Sequence, residues 1–96
     1  MIISVIGITG HTKDQAGFDE ICTIYTEAIN SSMAQEQLSD YIFDNVERRI
    51  TDKDALQSHE AVFNLSPEER YSIFKQSAEL SLKRKWDCDA VKELMR

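Results

Sequence analysis

The clearest structural signal in the chain lies in residues 66–85, SPEERYSIFKQSAELSLKRK. Ser66 is a typical N-cap residue, Pro67 suits the first position of a helix, and an acidic residue follows at the third position. We therefore predict a helix that begins at Pro67 and runs to about Lys85.

This helix has apolar residues on two sides. One row contains Tyr71, Phe74, Ala78 and Leu82, and the other row, nearly opposite, contains Ile73 and Leu80. A helix that is apolar on two sides usually lies centrally and packs against neighbours on both. We therefore expect this helix to be central in the fold.

Helical spacing of apolar residues also occurs upstream, in residues 14–30 and again from about Met33. Ser32 and Gln35 match a capping box, which places the start of the second helix at about Met33. The predicted apolar face of the first helix consists of Phe18, Ile21, Cys22, Tyr25, Ala28 and Ile29. That of the second helix consists of Ala34, Leu38, Tyr41, Ile42, Val46 and Ile50.

Two shorter helices complete the predicted set. Thr51 or Asp52 is a suitable N-cap for a third helix that ends at about Phe63, and Asp87 or Asp89 suits the last helix. The apolar residues of the third helix are Ala55, Leu56 and Val62, with His59 on the same side. Those of the last helix are Val91, Leu94 and Met95.

The first eight residues, MIISVIGI, have the β-branched composition of a short strand. A single strand needs a partner for its backbone groups, so residues 1–8 are a candidate for pairing between two copies of the chain. The overall prediction is an all-α fold: a compact bundle of four to five short helices with a short extended or strand-like N-terminal segment. Residues 1–96 are expected to form a single helical domain.

Composition excludes several classes of partner. The chain has 17 acidic and 11 basic residues, a net charge of −6, which disfavours sequence-independent binding to nucleic acid or an anionic membrane. The apolar start has neither the basic region nor the cleavage site of a secretory signal. Cys22 and Cys88 are therefore expected to be free, largely buried thiols in the cytoplasm, although the sequence is also compatible with a disulfide.

No motif indicates catalysis, a metal site or a cofactor. His11, His59 and the two cysteines lack the paired spacing of zinc ligands, and Gly7-Ile8-Thr9-Gly10 matches neither phosphate-binding glycine pattern. We therefore predict a protein that is not an enzyme and that carries neither metal nor cofactor. The only basic cluster, residues 83–86, ends in Trp86; it fits the end of a helix better than a nucleic-acid stacking site.

The unusual feature of the sequence is the distribution of its acidic residues. Residues 14–47 contain eight acidic residues and no lysine or arginine. On the second helix, four of these acidic residues are spaced by four, four and three positions. This spacing aligns them in one row along the helix, and Phe43 falls within that row. Like charges at such spacing destabilise a helix by about 0.2–0.5 kcal/mol a pair. The predicted partner-binding residues are Glu36, Asp40, Phe43, Asp44 and Glu47.

These observations favour a small acidic protein that binds and neutralises or modulates a basic protein, in the manner of an immunity protein, antitoxin or inhibitor. A nuclease-like toxin and a nucleic-acid-binding protein are both suitable partners. The alternative is a homo-oligomeric regulator or assembly subunit that pairs through residues 1–8, with a helix-turn-helix as its possible DNA-binding form. A solvated face that only keeps the chain soluble remains a third interpretation of the acidic row.

Overall fold

The structure is a computed structural model that describes residues 17–95, and the strand-like segment predicted at residues 1–8 lies outside them. Within that range the chain forms five helices and no strand, which confirms the predicted all-α bundle. The helices are α1 (Gly17–Asn30), α2 (Gln35–Arg49), α3 (Lys53–Val62), α4 (Pro67–Leu82) and α5 (Asp89–Leu94).

Helix α1 is the centre of the bundle, since it packs against α2, α3 and α5. Its fully buried side chains recur at steps of three and four: Phe18, Ile21, Ile24, Tyr25 and Ala28. The expectation for Ile29 was wrong, because the buried row is centred on Ile21 and leaves Ile29 at its exposed edge. Ile24, which the sequence interpretation omitted, lies within the row.

The start of α2 differs from the predicted capping box. Ser32 has a left-handed backbone (φ 60°) in the turn after α1, and the helix begins only at Gln35, with Ala34 at the N-cap. Ala34 is exposed, whereas Ile42, Val46 and the following Ile50 are buried. A serine whose backbone makes the turn is unavailable as a cap, so the box was wrong and the helix starts two residues later than predicted.

Helix α3 begins as predicted. Its N-cap Asp52 accepts hydrogen bonds from the backbone N–H groups of Asp54 at 3.0 Å and Ala55 at 3.4 Å. These bonds satisfy two of the donors that a helix N-terminus leaves free. Ala55, His59 and Val62 are buried on the side that faces the core.

Helix α4 begins at Pro67 as predicted and ends earlier, at Leu82. Lys83 adopts a left-handed conformation (φ 58°) and its N–H donates to the carbonyl of Glu79, which ends the helix. Phe74 and Ala78 are buried, but Ile73 is 40% exposed and Leu80 is 79% exposed. The expected central position was therefore wrong: α4 packs mainly against α3 and leaves its second apolar row uncovered by the part of the chain that the structure describes.

The segment from Trp86 to Met95 closes the core against α1. The Phe74 ring lies 5.2 Å from Phe18 and 5.6 Å from Trp86, and Val91 and Met95 are fully buried. Helix α5 has only six residues and its N-cap makes no side-chain hydrogen bond, so tertiary contacts hold it in place.

A disulfide joins Cys22 of α1 to Cys88, just before α5. The expectation of two free thiols was therefore wrong. The two residues are 66 positions apart in sequence but their Cα atoms lie 5.9 Å apart, a distance that suits a disulfide. Packing of α5 on α1 creates this proximity, which no sequence motif indicates.

Candidate protein-binding surface

The acidic row predicted on the second helix lies on the exposed side of α2. Glu36, Asp40, Asp44 and Glu47, which we call the acidic stripe, are all exposed. Only Asp44 pairs with a basic side chain in the described range: its Oδ2 accepts a hydrogen bond from Nε of Arg48 at 3.0 Å. Because such exposed pairs contribute little, the stripe presents a largely uncompensated negative surface.

Phe43 lies beside this stripe with 42% of its surface exposed. Its ring contacts Phe63 at a centroid distance of 4.9 Å and His59 at 5.4 Å, both in edge-on arrangements. The inner side of the ring is therefore held by the neighbouring aromatic groups while the outer side meets solvent. An aromatic side chain fixed in this way loses little conformational entropy when a partner covers it.

Phe43 divides a groove that runs along α2. One cleft, of about 160 Å³, is lined by Leu38, Ile42 and Phe43 together with Phe63 and Leu94. A second cleft, also of about 160 Å³, lies on the other side of Phe43, between α2 and α3, and Val46, Leu56 and Glu60 contribute to it. We call the pair of clefts the α2 groove. The sequence did not predict that Phe63 and Leu94 line the first cleft, because these residues are far from α2 in the sequence.

His59 forms part of the base of this groove. The imidazole is buried, and its Nε2 is hydrogen bonded to the Tyr25 hydroxyl at 2.6 Å. Burial lowers the pKa of His59 to about 4 and raises the pKa of the Tyr25 hydroxyl. His59 is therefore neutral at physiological pH, a buried support for the Phe43 and Phe63 rings.

Other acidic residues of the region 14–47 are used inside the fold. Arg49 donates to Oε2 of Glu20 at 2.7 Å and to Oε1 of Glu27 at 2.8 Å, and Tyr41 donates to the same Glu27 oxygen at 3.0 Å. The hydrogen bond from Arg49 lowers the pKa of the Glu27 carboxyl. This cluster joins α1 to α2. Of the acidic residues in the described part of this region, only those of the acidic stripe therefore make no ion pair outside their own helix.

The basic cluster at residues 83–86 also contacts α1. Trp86 is only 3% exposed and its Nε1 donates to Oδ1 of Asp19 at 3.0 Å, while Arg84 pairs with Oδ2 of the same carboxylate. A stacking role for Trp86 is therefore wrong, since no face of its ring is accessible to a base. The alternative interpretation fits better: Lys83 forms the C-terminal cap of α4.

Two further observations concern residues 17–95. No three histidine, cysteine, aspartate or glutamate side chains within this range lie close enough together to hold a metal ion. None of the helices in this range has the length and apolar composition that would be needed to cross a membrane. His11, considered above as a metal ligand, lies outside the described residues.

Comparison with known proteins adds no relative. No model of a known protein family matches the chain, and no curated protein or solved structure shows significant similarity to it.

Proposed function

We propose that this chain is a non-enzymatic binding protein whose α2 surface docks on a basic protein and neutralises or modulates it, as an immunity protein or inhibitor does. One observation carries the proposal: the exposed acidic stripe borders Phe43, which is half-exposed and fixed between two clefts. A buried aromatic anchor with a charged rim is the usual anatomy of a specific protein interface. Nuclease-like toxins and nucleic-acid-binding proteins present basic surfaces of the required kind.

Each part of the surface has a distinct role in this mechanism. The four carboxylates of the acidic stripe, Asp44 included, attract the partner at long range and then pair with its lysine or arginine side chains. Phe43 enters an apolar contact that excludes water, and it supplies much of the affinity. Because docking involves no chemical reaction, the mechanism requires no cofactor.

Reversing two charges of the acidic stripe tests this role. We expect the Asp40→Lys/Asp44→Lys variant to lose the basic protein that the wild type captures from its native lysate at low salt. Once that partner is identified, its association rate is expected to fall by about tenfold or more and to lose most of its salt dependence. Surface plasmon resonance at two salt concentrations measures both quantities.

A matched control separates the stripe from total charge. The Asp54→Lys/Glu68→Lys variant has the same net charge, but its substitutions lie in the exposed first turns of α3 and α4. It is expected to keep the partner. Equal capture by wild type and the Asp40→Lys/Asp44→Lys variant would rule out the stripe as the docking surface.

A homo-oligomeric regulator or assembly subunit is the second candidate. The exposed Ile73 and Leu80 on α4 favour it, since a second copy of the chain could cover them. Two parts of this alternative remain predictions: pairing through residues 1–8, and DNA binding through a helix-turn-helix. Deleting residues 1–8 is expected to convert an oligomer into a monomer in analytical ultracentrifugation, and an unchanged sedimentation coefficient would refute pairing through this segment.

The compartment also stays a prediction. The sequence interpretation expected two free thiols in the cytoplasm, and the Cys22–Cys88 disulfide contradicts the expectation of free thiols. Disulfides persist mainly in oxidising compartments, so the structure favours a meeting with the partner outside the reducing cytosol.

A further inference from the structure

The two clefts of the α2 groove follow one another along the same helix. Ser39 lines the first cleft and Val46 lines the second, and Phe43 borders both. From residue 39 to residue 46 an α-helix rises about 10 Å, which is two helical turns. The groove therefore offers two apolar sites along α2, on either side of one aromatic ring, and their lining residues Ser39 and Val46 are about two turns apart.

The charged residues that line the second cleft are all acidic, although Arg48 pairs with Asp44 and Arg70 lies over the Phe63 ring of the first cleft. Asp44 and Glu47 on α2 and Glu60 on α3 line the second cleft from opposite sides. Neither cleft includes a lysine or arginine among its lining residues in the described part of the chain. A segment that fills both clefts must therefore carry apolar side chains on one side and positive charges beside them.

We propose that the α2 groove binds a basic amphipathic helix of the partner. One apolar side chain of that helix enters each cleft, and Phe43 packs between them. Residues seven positions apart lie on the same face of a helix about 10 Å from one another, which matches the spacing of the clefts. Lysine or arginine side chains beside the second apolar residue pair with Asp44, Glu47 and Glu60. This inference rests on the proposed function and names the element that the partner contributes.

Two synthetic peptides of identical composition test the proposal. Both are capped lysine- and alanine-rich helices of about 15 residues with two leucines. In the matched peptide the leucines are about seven positions apart, and in the mismatched one about five apart, which puts them on different faces. Each is titrated into the ¹⁵N-labelled full-length chain. The matched peptide is expected to bind at least about tenfold more tightly and to shift the amide resonances of Leu38, Phe43 and Leu56.

Two tryptophan variants supply the structural control. Ser39 is exposed at the first cleft, so Ser39→Trp is expected to obstruct that cleft without altering any charge. It should abolish the preference for the matched peptide. Ser72→Trp, on the exposed side of α4, should preserve the preference.

The remaining outcomes distinguish the groove from the acidic stripe. Equal affinity for both peptides, weakened alike by salt, would overturn the groove proposal and leave binding by the acidic stripe intact. Absence of shifts with either peptide at low salt would also overturn it, and the capture experiment with the Asp40→Lys/Asp44→Lys variant then decides the proposed function independently.

Discussion

Removing the disulfide is expected to lower the free energy of unfolding by about 4 kcal/mol. The crosslink joins residues 66 positions apart, and closing a loop of that length restricts the unfolded chain by roughly this amount. Urea unfolding of the wild type and of the Cys22→Ser/Cys88→Ser variant, followed by circular dichroism, measures the difference. A change of this size is a large fraction of the stability of a small domain.

The effect on structure should be strongest next to the crosslink. Helix α5 has six residues, too few to persist alone, and its Leu94 lines the first cleft of the α2 groove. Loss of the disulfide is therefore expected to increase amide hydrogen exchange in residues 89–95 more than in α3 or α4.

Reductant provides an internal control. The wild type under a strong thiol reductant should unfold at the same urea concentration as the double-serine variant, and that variant should be insensitive to reductant. Alkylation of the untreated native protein should modify neither cysteine. Two readily alkylated thiols, or identical unfolding with and without reductant, would show that the crosslink does not contribute to the folded state.

The parts of the fold that the sequence predicted well depend on local interactions. Pro67 at the first position of α4 and Asp52 as the N-cap of α3 act within one helical turn, so their effect can be read from neighbouring residues. Ser32 also matched a local motif. The chain instead uses it for a left-handed turn between α1 and α2, where the packing of two helices decides the backbone conformation.

Long-range features could not be predicted, because they depend on contacts between residues that are far apart in the sequence. The exposure of Leu80 depends on which helices reach α4, and the proximity of Cys22 to Cys88 depends on how α5 packs on α1. Neither feature produces a periodic pattern of residues in the sequence.

The candidate site shows the same division between local and long-range features. Helical periodicity aligned the acidic stripe with Phe43, because a helix repeats its faces every three to four residues. The groove could not be predicted, since its walls combine α2 with Leu56 and Glu60 of α3, Phe63 and Leu94. The charged surface could therefore be predicted from the sequence, whereas the α2 groove that makes it selective could not.

Stability is also expected to fall in mild acid because of His59. Burial lowers the pKa of its imidazole from 6.5 to about 4. Above pH 6.5 the side chain is neutral in both the folded and the unfolded state, so it makes no pH-dependent contribution. Between pH 6.5 and 4 the unfolded chain binds a proton that the folded chain excludes, and stability decreases as the pH falls. The expected loss between pH 7 and pH 5 is about 2 kcal/mol.

Two glutamine variants assign this effect to one histidine. His59→Gln keeps a polar group that can reach the Tyr25 hydroxyl but does not titrate, so the free energy of unfolding should become nearly flat between pH 5 and 7. The assignment to His59 requires the His11→Gln variant to retain the wild-type slope. The same slope in the His59→Gln variant would contradict the assignment. In the folded chain His59 gains a proton only near its pKa of about 4. Loosening of the Phe43 and Phe63 rings, with a loss of partner affinity, is therefore expected near pH 4 and not between pH 5 and 7.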